Sequence, residues 1–548
     1  MRGSSAFTGL VGACALLALP AATAGQATTD RGTPLPSVRP AWMTNWSPLS
    51  RLADLPRELP AGARFPDLLS APAPRVGEFW SAGNPGALAR ELDDRRAEFR
   101  FTLQGTSGDY ARPFDPGGLG RGEISTLGWT RLGNRAAAIG SAVFDRTSFR
   151  DSLFSDVLLP YGSNPFMVAD TVGDPTRRSA IKLAGALGWE FGRLGVGFAV
   201  GWEGQSTRTS ASPVPRLDRT ASPGLGLGLS YDLGGLRLGA YGRISQLAEL
   251  IQVTTVAQAS RIFQFEGYEE PIPLDLQPAT YRRRFERDSH AWGASASFST
   301  LGGAWALFGQ RERTAEDQFL RTSDADPSTD RWDADGWNVG LAAQWGLGGE
   351  DGWLLSIDGR YRTLTGEAFQ ASIGGILFTV DESRLEGAVD LRGRLGDGWL
   401  LAGRAELVRS EHDRVDRLAE AASDIRSTQA GGTIEIARIL GDRFGVSLGG
   451  RVSSYGPSGT LPDPATLGPE YRRFQGPGLA LELTDATTAA GLATIRWQPS
   501  ATTGVWLRGE LGSLSPGTTT LPLTPTGSRE AWRVTLGAVL DEAWPGRD

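Results

Sequence analysis

The chain of 548 residues has one cysteine, two histidines and three methionines. Lys182 is its only lysine. The one cysteine, Cys14, lies near the N-terminus, so no disulfide staples the rest of the chain and no Cys/His metal spacing exists there. Beyond the N-terminus no uninterrupted apolar run reaches about 18 residues, which excludes a membrane-spanning helix. Charge of one sign is also missing in quantity: the net charge is -7, which gives no support to a nucleic-acid partner. Charged residues make up 21% and mean hydropathy is -0.22. This composition suits neither a helical membrane protein nor a disordered chain.

What is present starts with the N-terminus, "MRGSSAFTGLVGACALLALPAATAGQA". Arg2, an apolar stretch to Leu19, Pro20 and the small-residue site Ala22-Thr23-Ala24 predict a secretory signal peptide over residues 1–24. Residues 25–95 are proline-rich and poorly patterned, as in "TPLPSVRPAW" and "SAPAPRVGEFW". They read as a periplasmic lead-in or as a segment that enters a lumen. Within them Asn84 is a plausible N-cap before Pro85, opening a short helix in "PGALARELDDRRAEF".

From about residue 96 to 541 the chain alternates at period two. In "GLGLGLSYDLGGLRLGAYGRI", residues 224–244, leucine recurs at 225, 227, 229, 236 and 238 around a Gly-Gly pair. That is a β-hairpin with two unlike faces. Similar hairpins turn at "GGEDG", "GDG", "GDR" and "PSATT". The strands read as about ten residues long, enough to cross a bilayer at a barrel's tilt. Long connections are expected on the other side, roughly 147–178, 248–288, 314–335, 411–427, 456–487 and 514–528. Trp345, Trp353, Trp399, Phe444 and Trp497 sit beside the short turns, where an interfacial girdle belongs. Together these predict an all-β, transmembrane, up-and-down antiparallel barrel of about 18 strands, with 16 as the alternative, and a tail at 542–548. Hydrocarbon offers no partner for a bare sheet edge, so the sheet must close.

Residues 150–190 include "DSLFSDVLLPYGSNPFMVADTVGD" and "SAIKLAGALGW". Through Pro160, Tyr161, Ala169, Asp170, Val172 and Gly173, this stretch resembles an uncharacterised family of Gram-negative outer-membrane β-barrel proteins with a "PY…ADtvG" motif. "AGNPGAL" at 82–88 is similar to the Asn-Pro-Ala motif near the start of several barrel families, hydrophobic-ligand channels among them, with Gly86 in place of the alanine. The resemblance implies the bacterial cell outer membrane and a barrel. It implies no substrate.

The face opposite the leucines carries both signs of charge: Arg237, Arg243, Asp358, Arg360, Glu386, Asp390, Arg392, Arg394, Arg404, Glu406, Arg496, Arg508 and Glu510. These are predicted to face the lumen, either lining a wet channel or pairing with loops that pack it. The centre of the 147–178 connection, "YGSNPFMVAD", is apolar for an exposed loop, so Tyr161, Phe166 and Met167 are expected to be buried against the barrel or in its mouth.

Ser289 adjoins His290, but strand neighbours point to opposite faces, so no nucleophile–base pair and no enzyme is expected. Asp324, Asp326, Asp330, Asp333 and Asp335 form an acidic run without the glycine and glutamate of a helix-loop-helix calcium site, and no metal or cofactor is expected. "YRRRFER" at 281–287 and "YRRF" at 471–474 offer arginines beside aromatics, either to lipopolysaccharide phosphates or as a charged rim above the girdle. The expected partners are outer-membrane lipid, lipopolysaccharide and, during biogenesis, the barrel-assembly machinery. The expected function is passive passage of small solutes, porin-like. The alternative is a non-conducting surface or envelope protein.

Overall fold

The structure is a computed structural model. It describes residues 84–541 except 92–95, 111–117, 153–165, 171–173, 210–213, 255–258, 267, 269–271, 277–279, 301–302, 322–327, 348–352, 397, 442, 464, 475, 501–502, 518–522 and 525. The expected signal peptide, residues 25–83 and the tail at 542–548 lie outside the described residues.

Eighteen strands form one antiparallel sheet, each bonded to its neighbours along the chain. The first, Arg96–Gly108, pairs with the last, Arg529–Asp541, in an unbroken register from Arg96↔Asp541 to Gly108↔Arg529. The sheet is therefore a closed barrel, and the expected fold holds with the larger of the two strand counts. At the Gly-Gly hairpin, Gly234 and Gly235 have φ of 81° and 127°, which only glycine adopts readily. The amide of Leu233 donates to the Leu236 carbonyl at 2.8 Å, closing the turn.

Alternation separates the two faces. Leu225, Leu227 and Leu229 are 51%, 69% and 51% exposed, whereas Gly226, Gly228 and Ser230 between them are buried. On the strand Ser328–Leu347 the outward face runs from Trp337 through Val339 and Leu341 to Leu347. Those ten steps at about 3.3 Å, tilted by roughly 40°, give an apolar belt about 25 Å tall. Its lower edge carries the outward, exposed Trp399, Phe444 and Trp497. Trp345 and Trp353 are half-buried at the same level, and Trp345 meets Trp305 edge-on at 5.1 Å. The upper edge carries Trp292, Trp337 and Trp532. The barrel thus spans a membrane with an aromatic band at each interface.

One expectation needs correction. The barrel strands are not about ten residues long but run from 13 to 22 residues. The expected loop 314–335 shrinks to 322–327, and 411–427 shrinks to the turn 417–420. The cause is the solvent. Above the belt the outer face meets water and the inner face is polar or meets the mouth loops, so "RERTAEDQFLR" at 311–321 is mostly polar and shows no period of two, while its backbone pairing continues. Hydrophobic alternation marks the membrane span of a strand, not its length.

The expected loop 147–178 is likewise shortened, because Ala136–Ser152 and Asp174–Phe191 enter it from either side. Inside it, Phe166–Asp170 pairs with Ala259–Glu266 from the connection 255–279, and Ile272–Leu276 completes a separate three-stranded sheet. Ala169 and Asp170 lie on its outer strand. Pro160, Tyr161, Val172 and Gly173 lie outside the described residues, as do the side chains of Phe166 and Met167.

Candidate functional site

The lumen has a floor, a wall and a mouth. The floor is built by the residues just before the first strand. Asn84 caps a 3₁₀ turn, Pro85–Ala87, which leads into the short helix Leu88–Glu91. Its side chain accepts from the Gly86 amide at 2.9 Å and donates to the Leu229 carbonyl at 2.7 Å. Ser230 donates to the Gly86 carbonyl at 2.8 Å. Leu88 is fully buried against Trp129, Ala137, Ile139, Ala186 and Ala199. Arg90 pairs with Asp232 at 2.7 Å and Glu190 at 3.2 Å, tying the helix to two short turns. Backbone can come this close because the wall beneath is glycine. A Cβ at Gly188 would stand 2.8 Å from the Pro85 carbonyl, and one at Gly228 would stand 2.7 Å from the Pro85 ring. The Asn-Pro-Gly motif is thus a hook seated on the inner wall at the short-turn end.

Charged residues line the wall above the hook around the whole circumference. Arg121 meets Asp145 at 2.9 Å, and Lys182 meets Glu203 at 3.9 Å. Arg243 meets Glu312 at 3.2 Å, and Gln310 accepts from Tyr241 at 3.1 Å. Arg360 donates to Asn338 at 2.6 Å. Arg404 sits among Asp390 at 2.7 Å, Glu406 at 3.5 Å and Asp358 at 3.9 Å. Arg451 reaches Glu406 from two strands away. Arg508 meets Glu510 at 2.7 Å, and Arg533 approaches the same carboxylate at 3.9 Å. Glu386 pairs with Arg384 at 2.5 Å. Arg237 stands beside the hook near Ser230 and Ser295, and Arg496 is half-buried near the short turns. The side chains of Arg392 and Arg394 lie outside the described residues.

The mouth is filled by two loops. The connection 461–485 turns inward and carries two short helices, Pro469–Phe474 and Gly476–Glu482. Leu467, Tyr471 and Leu479 pack on inward residues of the wall, among them Trp332, Ala334, Ala368, Phe378, Val380 and Ile425. Leu481 joins Tyr110, Tyr455 and Leu514 on the other side. From the loop 255–279, Tyr268 enters the same cluster, edge-on to Phe378 and Tyr471. Its amide donates to Asp416 at 2.6 Å and its hydroxyl bonds Ser423 at 2.6 Å. Glu482 reaches Arg414 at 3.3 Å. Burial pushes the hydroxyls of Tyr268 and Tyr471 well up, so both remain protonated. Burial opposes the Arg414 charge, but Glu482, Tyr268 and Glu382 outweigh it and raise its pKa.

Asp416 accepts from the amides of Tyr268, Leu418 and Ala419, at 2.6, 2.9 and 2.9 Å. It both closes the 417–420 turn and holds the neighbouring loop. Asp416→Ala should leave three donors to find new partners, at a cost of about 1–3 kcal/mol. Proteolysis of intact cells should then cut between 255 and 279 faster than in the parent, and an unchanged digestion rate would refute the role.

The remaining sequence candidates scatter. His290 faces outward while Ser289 faces inward and bonds Thr314 at 3.2 Å, so they form no pair. His412 lies inward, 3.3 Å from Glu382. The acidic run is not a loop cluster: Asp330 is buried on the inner face, while Asp333 and Asp335 point outward to Arg331 and Arg311. Asp324 and Asp326 lie outside the described residues. "YRRF" is a helix inside the mouth, with Tyr471 and Phe474 buried. "YRRRFER" lies on the strand Thr280–Thr300, where Arg284 pairs with Glu286 at 2.7 Å. Arg414, Glu482, Tyr268 and Asp416 carry no sequence signature of their own. The run "GPGLALEL", too apolar for an exposed loop, is the one signal that could have revealed the mouth segment.

The family described as "Family of unknown function (DUF6850)" matches residues 86–540, from within the hook to the closing strand. The chain belongs to this family. No curated protein matches it. Among solved structures, the ferric preacinetobactin receptor BauA of Acinetobacter baumannii is 9% identical with a TM-score of 0.37, over 82% of this chain and 80% of that one. The outer membrane transporter YddB of Escherichia coli is 7% identical with a TM-score of 0.37, over 82% and 81%. A Pseudomonas aeruginosa FadL homologue is 11% identical with a TM-score of 0.29, over 84% and 94%. For this DUF6850 chain, the reading of function rests on its own lumen.

Proposed function

We propose that this protein is an outer-membrane conduit for small polar solutes, closed at rest by its mouth loops. The observation that carries the reading is the ring of paired charges on the inner wall, level with the apolar belt outside. Side chains can fill an eight-stranded barrel, whereas barrels of 16–18 strands enclose water. A wall of Arg, Asp and Glu is at ease where the charges pair with one another and meet water or polar cargo, and Arg404, Asp390 and Glu406 stay partly open to the lumen. The mixed signs favour uncharged or zwitterionic solutes over a strongly anionic or cationic class.

The filled mouth supports a second reading, a non-conducting surface protein. Planar-bilayer recording separates the two. The full chain should show rare openings, and deletion of 461–485 should give a steady current. The same deletion in a chain starting at Ala82 should conduct at least as well. If none of the three carries current, the conduit is refuted and the surface protein stands.

A further inference from the structure

The mouth segment 461–485 is held to the wall by its apolar contacts, by a hydrogen bond from the Tyr455 hydroxyl to the Glu482 carbonyl at 2.7 Å and by an ion pair. Glu482 ends the helix Gly476–Glu482 and meets Arg414 at 3.3 Å, both side chains about nine-tenths buried. A buried arginine deprived of its partner is strongly unfavourable, so withdrawal of Glu482 alone would be resisted. Arg414 has a second carboxylate at hand. Glu382, its neighbour on the inner wall, lies 4.0 Å away, next to His412. Among the described residues the Arg414 Nε–H has no acceptor, so the guanidinium keeps a donor for a further partner.

The end of the segment has room to bend where it rejoins the wall. At its return to the wall, a cavity of about 430 Å³ opens beside Asp485, lined by Ser454, Gly456, Thr487, Ser515 and Gly517. The wall steps down here, because the strand Ala486–Ser500 begins opposite Tyr455 and leaves residues 456–460 paired on one side only.

We propose that segment 461–485 is a gate, that Arg414–Glu482 is its latch, and that Glu382 takes over Arg414 when the gate swings out. Two carboxylates competing for one buried guanidinium make the mouth bistable: Arg414 is paired in either position, so opening need not strand a charge. Tyr268, delivered by the other loop, marks the fixed side of the doorway, since Asp416 and Ser423 hold it to the wall.

This inference rests on the conduit reading, and the test separates the two. In single-channel records of the full chain, Glu482→Gln should raise the open fraction at least tenfold, because the closed latch loses its ion pair. Glu382→Gln should lower it, because the open state loses its acceptor. A merely structural pair would give neither opposite sign. A disulfide between Leu481→Cys and Leu514→Cys, in a mature chain otherwise free of cysteine, should abolish openings until reduced. If deletion of 461–485 conducts while Glu482→Gln leaves the open fraction unchanged, the latch is refuted and the conduit stands. If neither the deletion nor the same deletion in a chain starting at Ala82 carries current, the conduit reading falls and the latch with it.

Discussion

Arginine in place of Leu227 is expected to cost the barrel about 2–4 kcal/mol, the penalty for a guanidinium near the bilayer midplane. Leu227 is 69% exposed on the outer face, about midway between the short turn at 233–235 and the upper aromatic band. Its neighbours across the strands, Phe198 and Gly242, offer no carboxylate. The charge would have to snorkel to a headgroup or draw water into hydrocarbon. Leu227→Ala should cost much less, since it removes contact with lipid and buries no charge. Thr365→Arg supplies the opposite control. Thr365 is outward too, but it lies above the belt between Asp335 and Asp381, where arginine meets water and two carboxylates. Refolding titrations into lipid vesicles should show a clear midpoint shift for Leu227→Arg and a change within about 0.5 kcal/mol for Thr365→Arg. Equal effects at the two sites would mean that the belt does not face lipid.

Valine in place of Gly228 should expel the N-terminal hook while leaving the barrel closed. Its Cβ would fall on the Asn84 side chain and within 2.9 Å of the Gly86 amide. The obstructing atoms belong to a capped turn whose backbone rests directly on the glycines of the wall, so a small adjustment cannot clear them. Expulsion removes the bonds from Asn84 to Leu229 and from Ser230 to Gly86, together with the burial of Leu88. Two net hydrogen bonds and one buried leucine amount to about 3–5 kcal/mol. The barrel itself should persist, because valine suits a strand and the ladder is intact. Limited proteolysis from the short-turn side should cleave at Arg90 in Gly228→Val and spare it in the parent. Gly309→Ala, where a Cβ meets nothing within 4 Å, should behave as the parent does. Protection of Arg90 in Gly228→Val would show that the hook does not depend on this seat.

The sequence by itself determined the membrane span. Leucine at 225, 227 and 229 against glycine and serine at 226, 228 and 230 makes a strand with two unlike faces, and the repeat of that pattern with short turns on one side and long connections on the other put the apolar face in hydrocarbon. The Gly-Gly turn set the register of that hairpin, and hydrocarbon's intolerance of a bare sheet edge required closure. Arg243, Arg404 and Arg508 could be assigned to the inner face for the same reason, as period two leaves no other side. The tertiary structure decided everything that period two does not reach. Strand length above the belt was invisible, because the outer face there meets water and the inner face is polar or meets the mouth loops, so the only signal left is backbone pairing. The hook was half legible: Asn84 and Pro85 announced a cap, but its seat needs Gly188, Gly195, Gly197 and Gly228 from three different strands, brought together only by the wall. The mouth was least legible. Arg414, Glu482, Glu382 and Tyr268 come from two strands and two loops, and only closure of the barrel sets them side by side. No local pattern records such a meeting, because its energy is that of partners distant in the chain excluding water from one another.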